Sequence, residues 1–164
     1  MGNSCTLPKD VTTYEEAYMY LLALTEMVGT RLRKNDLKAT VVAVSVRSST
    51  FENYSHQCVI DATSNTTDIY KCIQKLFRDC WKNEPIRHLG VRATSLQKTG
   101  DIQISFFDFY KDNSKKDNLD KAIDEIRFKY GAIAIFRANF LNTNIRPIKG
   151  GAMDDSDFNL TAKY

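Results

Sequence analysis

Three stretches of this chain carry hydrogen-bonding and cationic side chains at every second position, the spacing that lines one face of an extended strand. In 38–48, KATVVAVSVRS, Ser45 and Arg47 alternate with Val42, Val44 and Val46. In 55–62, SHQCVIDA, Ser55 and Gln57 alternate with Cys58 and Ile60. In 86–96, IRHLGVRATSL, His88, Arg92 and Thr94 share one face. Thr6 and Lys9 on an earlier short strand, His56 beside Ser55, and Arg87 beside His88 extend the set. Arg, Lys, Ser, Thr and Gln on a rigid surface are the donors that backbone phosphates require. The chemistry on offer is recognition of a polyanion by charge and hydrogen bonding.

Catalytic chemistry has no comparable set. Gly150-Gly151 has neither a strand before it nor a helix after it, so it is no phosphate loop. The carboxylate pairs Glu15/Glu16, Asp124/Glu125 and Asp154/Asp155 read as helix-start, helix-surface and tail residues. A two-metal site needs carboxylates converging from neighbouring strands, and these strands hold almost none. His56 and His88 lack an evident nucleophile partner. The four cysteines, at 5, 58, 72 and 80, form no C-x-x-C pair. They read as small buried apolar residues of a reducing, cytoplasmic protein. No cofactor is expected in this chain.

The composition is globular, with 43% hydrophobic and 26% charged residues in 164, enough for one domain plus an appendage. No apolar run of about 18 residues predicts a membrane span. MGNSCTLPKD lacks the pattern of a secretory leader. Residues 1–100 hold 13 Lys+Arg against 10 Asp+Glu, while residues 101–164 hold 10 of each. That excess is small for a dedicated nucleic-acid protein, so this chain is expected to bind weakly by itself.

The elements that must position the polar set follow from periodicity. Residues 4–11 read as an edge or irregular strand because of Pro8. Thr13 and Glu16 form a capping box ahead of a helix with Ala17, Leu21, Leu24, Val28 and Leu32 on its apolar stripe, ending near Asn35. Strand 38–48, the hairpin link STFENY and strand 55–62 come next. A second helix starts near Thr66 and buries Ile69, Ile73, Leu76, Phe77, Cys80 and Trp81; strand 86–96 follows it. The predicted class is α+β, ordered β-α-β-β-α-β, a four-stranded sheet with two helices on one face plus a C-terminal helical extension. Two helices cover one face only. The polar face left open is either a polyanion-binding surface or a solvated sheet face.

DIQISFFDFY at 101–110 is rich in large apolar residues and precedes a charged linker, KDNSKKDN. It either closes a core or is meant for another protein. A third helix carries Leu119, Ala122, Ile123 and Ile126 on one stripe and ends before Gly131. AIAIFRANFL at 132–141 is strand-like, and the tail beyond it is expected to be mobile. The expected organisation is a domain over 1–100, a protein-binding segment over 101–110, and a linker, helix and tail over 111–164.

TLPKD at 6–10, VSVRSSTFENYSHQ at 44–57 and PIRHLGVRATSL at 85–96 resemble, in order and spacing, three signature regions of one family domain. It is the C-terminal little finger domain of Y-family translesion DNA polymerases, the DinB/UmuC (ImpB/MucB/SamB) group. NLDKAIDEIRFKYGAIAIFRA also looks like the C-terminal extension of Gram-positive-type members. The resemblance implies that the sheet lies against the DNA major groove and grips phosphates of primer-template duplex. Arg87, His88 and Arg92 would be backbone contacts, joined by Arg47, Ser55 and His56. His88 stands where relatives carry a second Arg, and a neutral imidazole weakens that contact. The resemblance further implies a parent DNA-directed DNA polymerase, error-prone and acting in damage tolerance. Its catalytic carboxylates and Mg2+ would lie in an N-terminal palm domain that this chain lacks, so the chain alone would bind DNA without polymerising. The parent's own N-terminal domains would be partners.

QISFF at 103–107 resembles the pentapeptide by which bacterial polymerases bind the sliding clamp, usually Q-L-S/D-L-F. Gln103 would bond at the pocket rim and Ile104, Phe106 and Phe107 would fill an apolar cleft. Ser105 keeps the motif's polar centre, while Phe106 replaces the usual Leu. The other reading is a fifth strand or lid in which Phe106, Phe107 and Phe109 pack on the domain. A function of another class also suits the unit: a small-molecule-sensing α+β regulatory module that dimerises through its sheet. RNA recognition suits it less, because such modules stack bases on aromatics and the open face has few.

Overall fold

The computed structural model describes residues 1–98, 114–141, 143 and 145. The elements are β1 (Gly2–Val11), α1 (Tyr14–Lys34), β2 (Leu37–Ser48), β3 (Asn53–Thr63), α2 (Thr66–Cys80), β4 (Ile86–Lys98) and α3 (Ser114–Tyr130). The strands form one antiparallel sheet in the order β1-β4-β2-β3. This is the α+β architecture that the periodicity predicts. The segment with Gln103, Ile104, Ser105, Phe106 and Phe107 lies outside the described residues.

Local chemistry sets the helix starts. The Thr13 hydroxyl accepts the Glu16 N–H at 3.3 Å, and the Asn65 side chain accepts from Thr67 and Asp68 N–H at 3.0 and 3.2 Å. Leu21, Leu24, Val28 and Leu32 of α1 and Ile69, Ile73 and Phe77 of α2 are fully buried, as are Val42, Val44, Leu89 and Ala93 of the central strands. Each large aliphatic side chain so buried contributes about 2 kcal/mol. The Tyr14 ring meets Trp81 edge-on at 4.4 Å, and Phe77 stacks on Trp81 at 5.3 Å. These rings tie the start of α1 to the end of α2.

The extension departs from the apolar-stripe expectation. α3 turns charged residues inward: Asp120 and Arg127 are buried, while Leu119 is 61% exposed and Phe128 is 89% exposed. Arg33 of α1 bonds both Asp120 and Asp124. Asp120 also accepts the backbone N–H of Thr66 at 2.8 Å, a cap on α2 supplied from a distant segment. Glu26, buried in α1, accepts from Arg127 at 3.0 Å and Arg137 at 2.7 Å. Long-range pairing therefore overrides the local hydrophobic pattern.

Residues 132–141 are not a strand. After Gly131, at φ 97°, they make turns and a 3-10 helix over Ala138–Phe140. The cause is their anchorage: Arg127 donates to the Ile135 carbonyl at 3.1 Å, and Arg137 reaches Glu26, which brings the run onto the helix layer. Phe140 and Ile145 join the core, so Ile145 is held within a stretch expected to be mobile.

The cysteines split. Burial pushes the Cys5 thiol up to about 12 and the Cys80 thiol up to about 11, as suits inert core residues. Cys58 of β3 and Cys72 of α2 instead meet sulfur to sulfur, a pairing that their reading as separate apolar fillers did not include. Their Cα atoms are 7.8 Å apart, wider than the usual disulfide span.

Glu26→Ala strands the buried Arg127 guanidinium. The expected loss is about 3 kcal/mol by urea unfolding, and Glu26→Met/Arg127→Met recovers most of it. A loss below about 1 kcal/mol would mean that the pair behaves as a surface ion pair.

Candidate nucleic-acid interface

Directly paired residues of antiparallel strands share a face, so the register converts into rows across the sheet. One row is Thr6, His88, Arg47 and Asn53; the next is Ser4, Gly90, Ser45 and Ser55; the third is Gly2, Arg92, Ala43 and Gln57. Thr94 lies beyond them, opposite Val41. The residues between, Val42, Val44, Val46, Leu89, Val91 and Ala93, are buried under the helices. All three rows therefore stand on the open face.

The middle row contains only small residues. A Cβ on Gly90 would collide with Ser45 Oγ and come within 3.1 Å of Ser4 Cβ. Glycine at this position thus keeps the floor low. The result is a groove of about 780 Å³ with Ser4, Ser45 and Gly90 among the residues that line it and Arg47, His88 and Arg92 at its sides. Arg47 Nε donates to Asn53 Oδ1 at 2.7 Å, which fixes one wall. His88 Nδ1 lies 3.1 Å from Thr6 Oγ1. Burial and the nearby Arg47 guanidinium hold the His88 imidazole below its ordinary pKa, so it is neutral at pH 7.

Three residues from the sequence set stand apart from these rows. Arg87 is the extra residue of a bulge on β4, since Arg47 pairs with His88 but Ser48 pairs with Ile86. Its guanidinium forms a two-pronged pair with Asp10, whose carboxyl is held below the usual range by that hydrogen bond. His56 pairs with Val44, a core-facing residue, so it lies on the opposite face from Ser55. Strand alternation forbids the two from acting together. Lys9 reaches Glu16 at the start of α1, at 3.1 Å. Ser4, Asn53 and Gly90 belong to the groove but were not in the set. A glycine inside a strand was the available signal for a close backbone approach. Among the described residues no three His, Cys, Asp or Glu gather as a metal site.

Residues 1–106 match the impB/mucB/samB family C-terminal domain. Similar curated proteins include DNA polymerase IV of Clostridium acetobutylicum, 40% identical over 142 residues, covering 86% of this chain and 36% of the relative. DNA polymerase IV 2 of Bacillus subtilis is 32% identical over 143 residues, covering 84% and 34%. The chain spans about a third of the length of these relatives. Among solved structures, a chain of the complex of beta-clamp processivity factor and little finger domain of PolIV aligns with a TM-score of 0.51 at 20% identity, over 64% of this chain and 96% of that one. A post-insertion binary complex of Dbh DNA polymerase aligns with a TM-score of 0.52 at 17% identity, over 59% and 28%. At these identities the structural likeness speaks for the fold alone.

Two outcomes follow from the groove geometry. Gly90→Ala should cost about 1–3 kcal/mol, and less in a Ser45→Ala background; equal losses in both would show that Ser45 is not the obstacle. In an NMR titration the His88 midpoint should lie below about 6.5 and rise in Arg47→Ala. A midpoint unmoved by that substitution would remove Arg47 as a cause. The protonated form is disfavoured in the fold, so this group lowers stability only as pH falls through about 6.5 and below.

Proposed function

Because the chain belongs to the impB/mucB/samB C-terminal domain family, we propose that it is the non-catalytic DNA-binding domain of an error-prone translesion polymerase. The observation that carries this reading is the trough of small residues between Arg47 and His88 on one side and Arg92 and Gln57 on the other. A sugar-phosphate strand suits that shape. The hydroxyls of Ser4, Ser45 and Ser55 supply donors, Gly90 admits close approach, and Arg47 and Arg92 supply charge. Thr6, in the row of Arg47, and Thr94, beyond the row of Arg92, add hydroxyls outside the floor. The rows hold no Phe, Tyr or Trp, which favours duplex backbone over stacked single strand as the main ligand.

With Arg87 engaged by Asp10, the trough has little cationic charge. Binding by this domain alone is weak, and the parent's N-terminal domains share the DNA. The polymerase's Mg2+ belongs with the catalytic carboxylates of those domains. QISFF at 103–107 tethers the assembly to the sliding clamp, raising its local concentration at the primer end in the cytoplasm.

Fluorescence anisotropy with a labelled duplex tests the trough. Affinity should fall with salt by a log–log slope of about −0.9 per neutralised phosphate. Arg92→Ala should reduce the slope magnitude by about 1, and Asp10→Asn, which frees Arg87, should raise it by about 1. Salt-independent binding, or none at low salt, would overturn the reading. A sheet-mediated dimer with a ligand-dependent melting shift would favour the small-molecule module instead. Surface plasmon resonance tests the tether: Phe106→Ala/Phe107→Ala should abolish clamp binding. Absent clamp binding with a variant of reduced thermal stability would assign the rings to the fold.

A further inference from the structure

Cys58 and Cys72 lie 14 positions apart on two different elements, yet their sulfur atoms meet. The register explains how. Cys58 pairs across β2 with Val42, which is fully buried, so its side chain stands on the helix side of the sheet. There α2 lies over β3 and brings Cys72 down beside the buried Ile73. Both cysteines are half-buried at the margin of the core. Cys5 and Cys80 have no sulfur partner.

The pair joins an edge strand to the helix that covers it. β3 is bonded to β2 alone, so one side of its backbone has no strand partner. Its register also shifts just past Cys58. From Val59 to Thr63 β3 advances four residues while β2 passes two, from Val41 to Ala39. Such an irregularity lets a strand bend. The Cα separation of 7.8 Å means that a bridge needs backbone movement. An edge strand with a register shift at this point is where movement is least opposed.

We propose that Cys58 and Cys72 are a reversible redox pair that staples β3 to α2 under oxidising conditions. The oxidant is a hydroperoxide. One cysteine sulfur attacks a peroxide oxygen, giving a sulfenic acid and, from hydrogen peroxide, one water. The second sulfur attacks the first, the S–S bond forms, and the sulfenic oxygen leaves as a second water. Two thiols and one peroxide thus become one disulfide and two waters. The pair gives up two electrons, and a dithiol reductant returns them. Burial keeps the Cys5 and Cys80 thiols protonated, so they stay out of the exchange. Ser55 and Gln57 stand on the same strand as Cys58, in two of the open-face rows. The staple therefore fixes the outer strand of the groove.

The test treats the full chain with hydrogen peroxide, blocks the remaining thiols by alkylation and maps the cysteines by peptide mass spectrometry. Cys58 and Cys72 should appear as one linked pair lacking two hydrogens, with Cys5 and Cys80 alkylated once the chain is unfolded. A dithiol should restore four alkylatable thiols. The oxidised chain should melt about 5 °C above the reduced one. That difference should vanish in Cys58→Ser and in Cys72→Ala, each of which should melt like the reduced chain. In NMR spectra the Ser55 and Gln57 amides should shift on oxidation. Separate sulfinic acids at the two positions, links to Cys5 or Cys80, links between chains, or a bond that forms only in urea would each overturn the proposal. So would a melting shift that survives either substitution.

Discussion

Every second side chain over 42–46 of β2 and 89–93 of β4 is buried beneath α1 and α2, and this single constraint organises the molecule. Val42, Val44, Val46, Leu89, Val91 and Ala93 commit one face of the central strands to the core. Their neighbours must then face away, and α3 is fastened to Arg33 and Glu26 of α1, on the helix side of the sheet. A register slip of one residue would exchange the two sets and bury Arg47 and Arg92, which is why the apolar alternation fixes the pairing so firmly. The open face is a by-product of packing, and its residue types decide what it does.

Charge is divided between two jobs. Arg33, Arg127 and Arg137 are spent on holding the C-terminal extension to α1, and Arg87 is held by Asp10. The cations left in the three rows, Arg47 and Arg92, are few. A net charge of +3 therefore overstates the positive surface available to a polyanion. This agrees with a domain that contributes part of a larger grip.

Most of the fold was legible because it is local: alternation marks β2 and β4, the Thr13–Glu16 box starts α1, and a helical stripe defines α2. The open-face residues on β2 and β4 were legible for the same reason. What escaped depends on contacts between distant residues. The β4 bulge gives Arg87 to Asp10, 77 positions away. Parity was the overlooked clue for His56, since adjacent strand residues face opposite ways. The inward charges of α3 read as a solvated face until Glu26 and Arg33 are placed opposite them. The run after Gly131 had a strand's composition, but its anchor at Glu26 lies on a helix.

Mapping backbone amide shifts by NMR while duplex DNA is titrated into the full chain locates the contact surface directly. The predicted result is a set of perturbed amides confined to the three rows, with Ser4, Ser45, Ser55, Gly90 and Arg92 among the largest and the buried face of α1 unmoved. Perturbations centred on α3 or on the helix layer, with the rows silent, would contradict the assignment of the open sheet face to DNA.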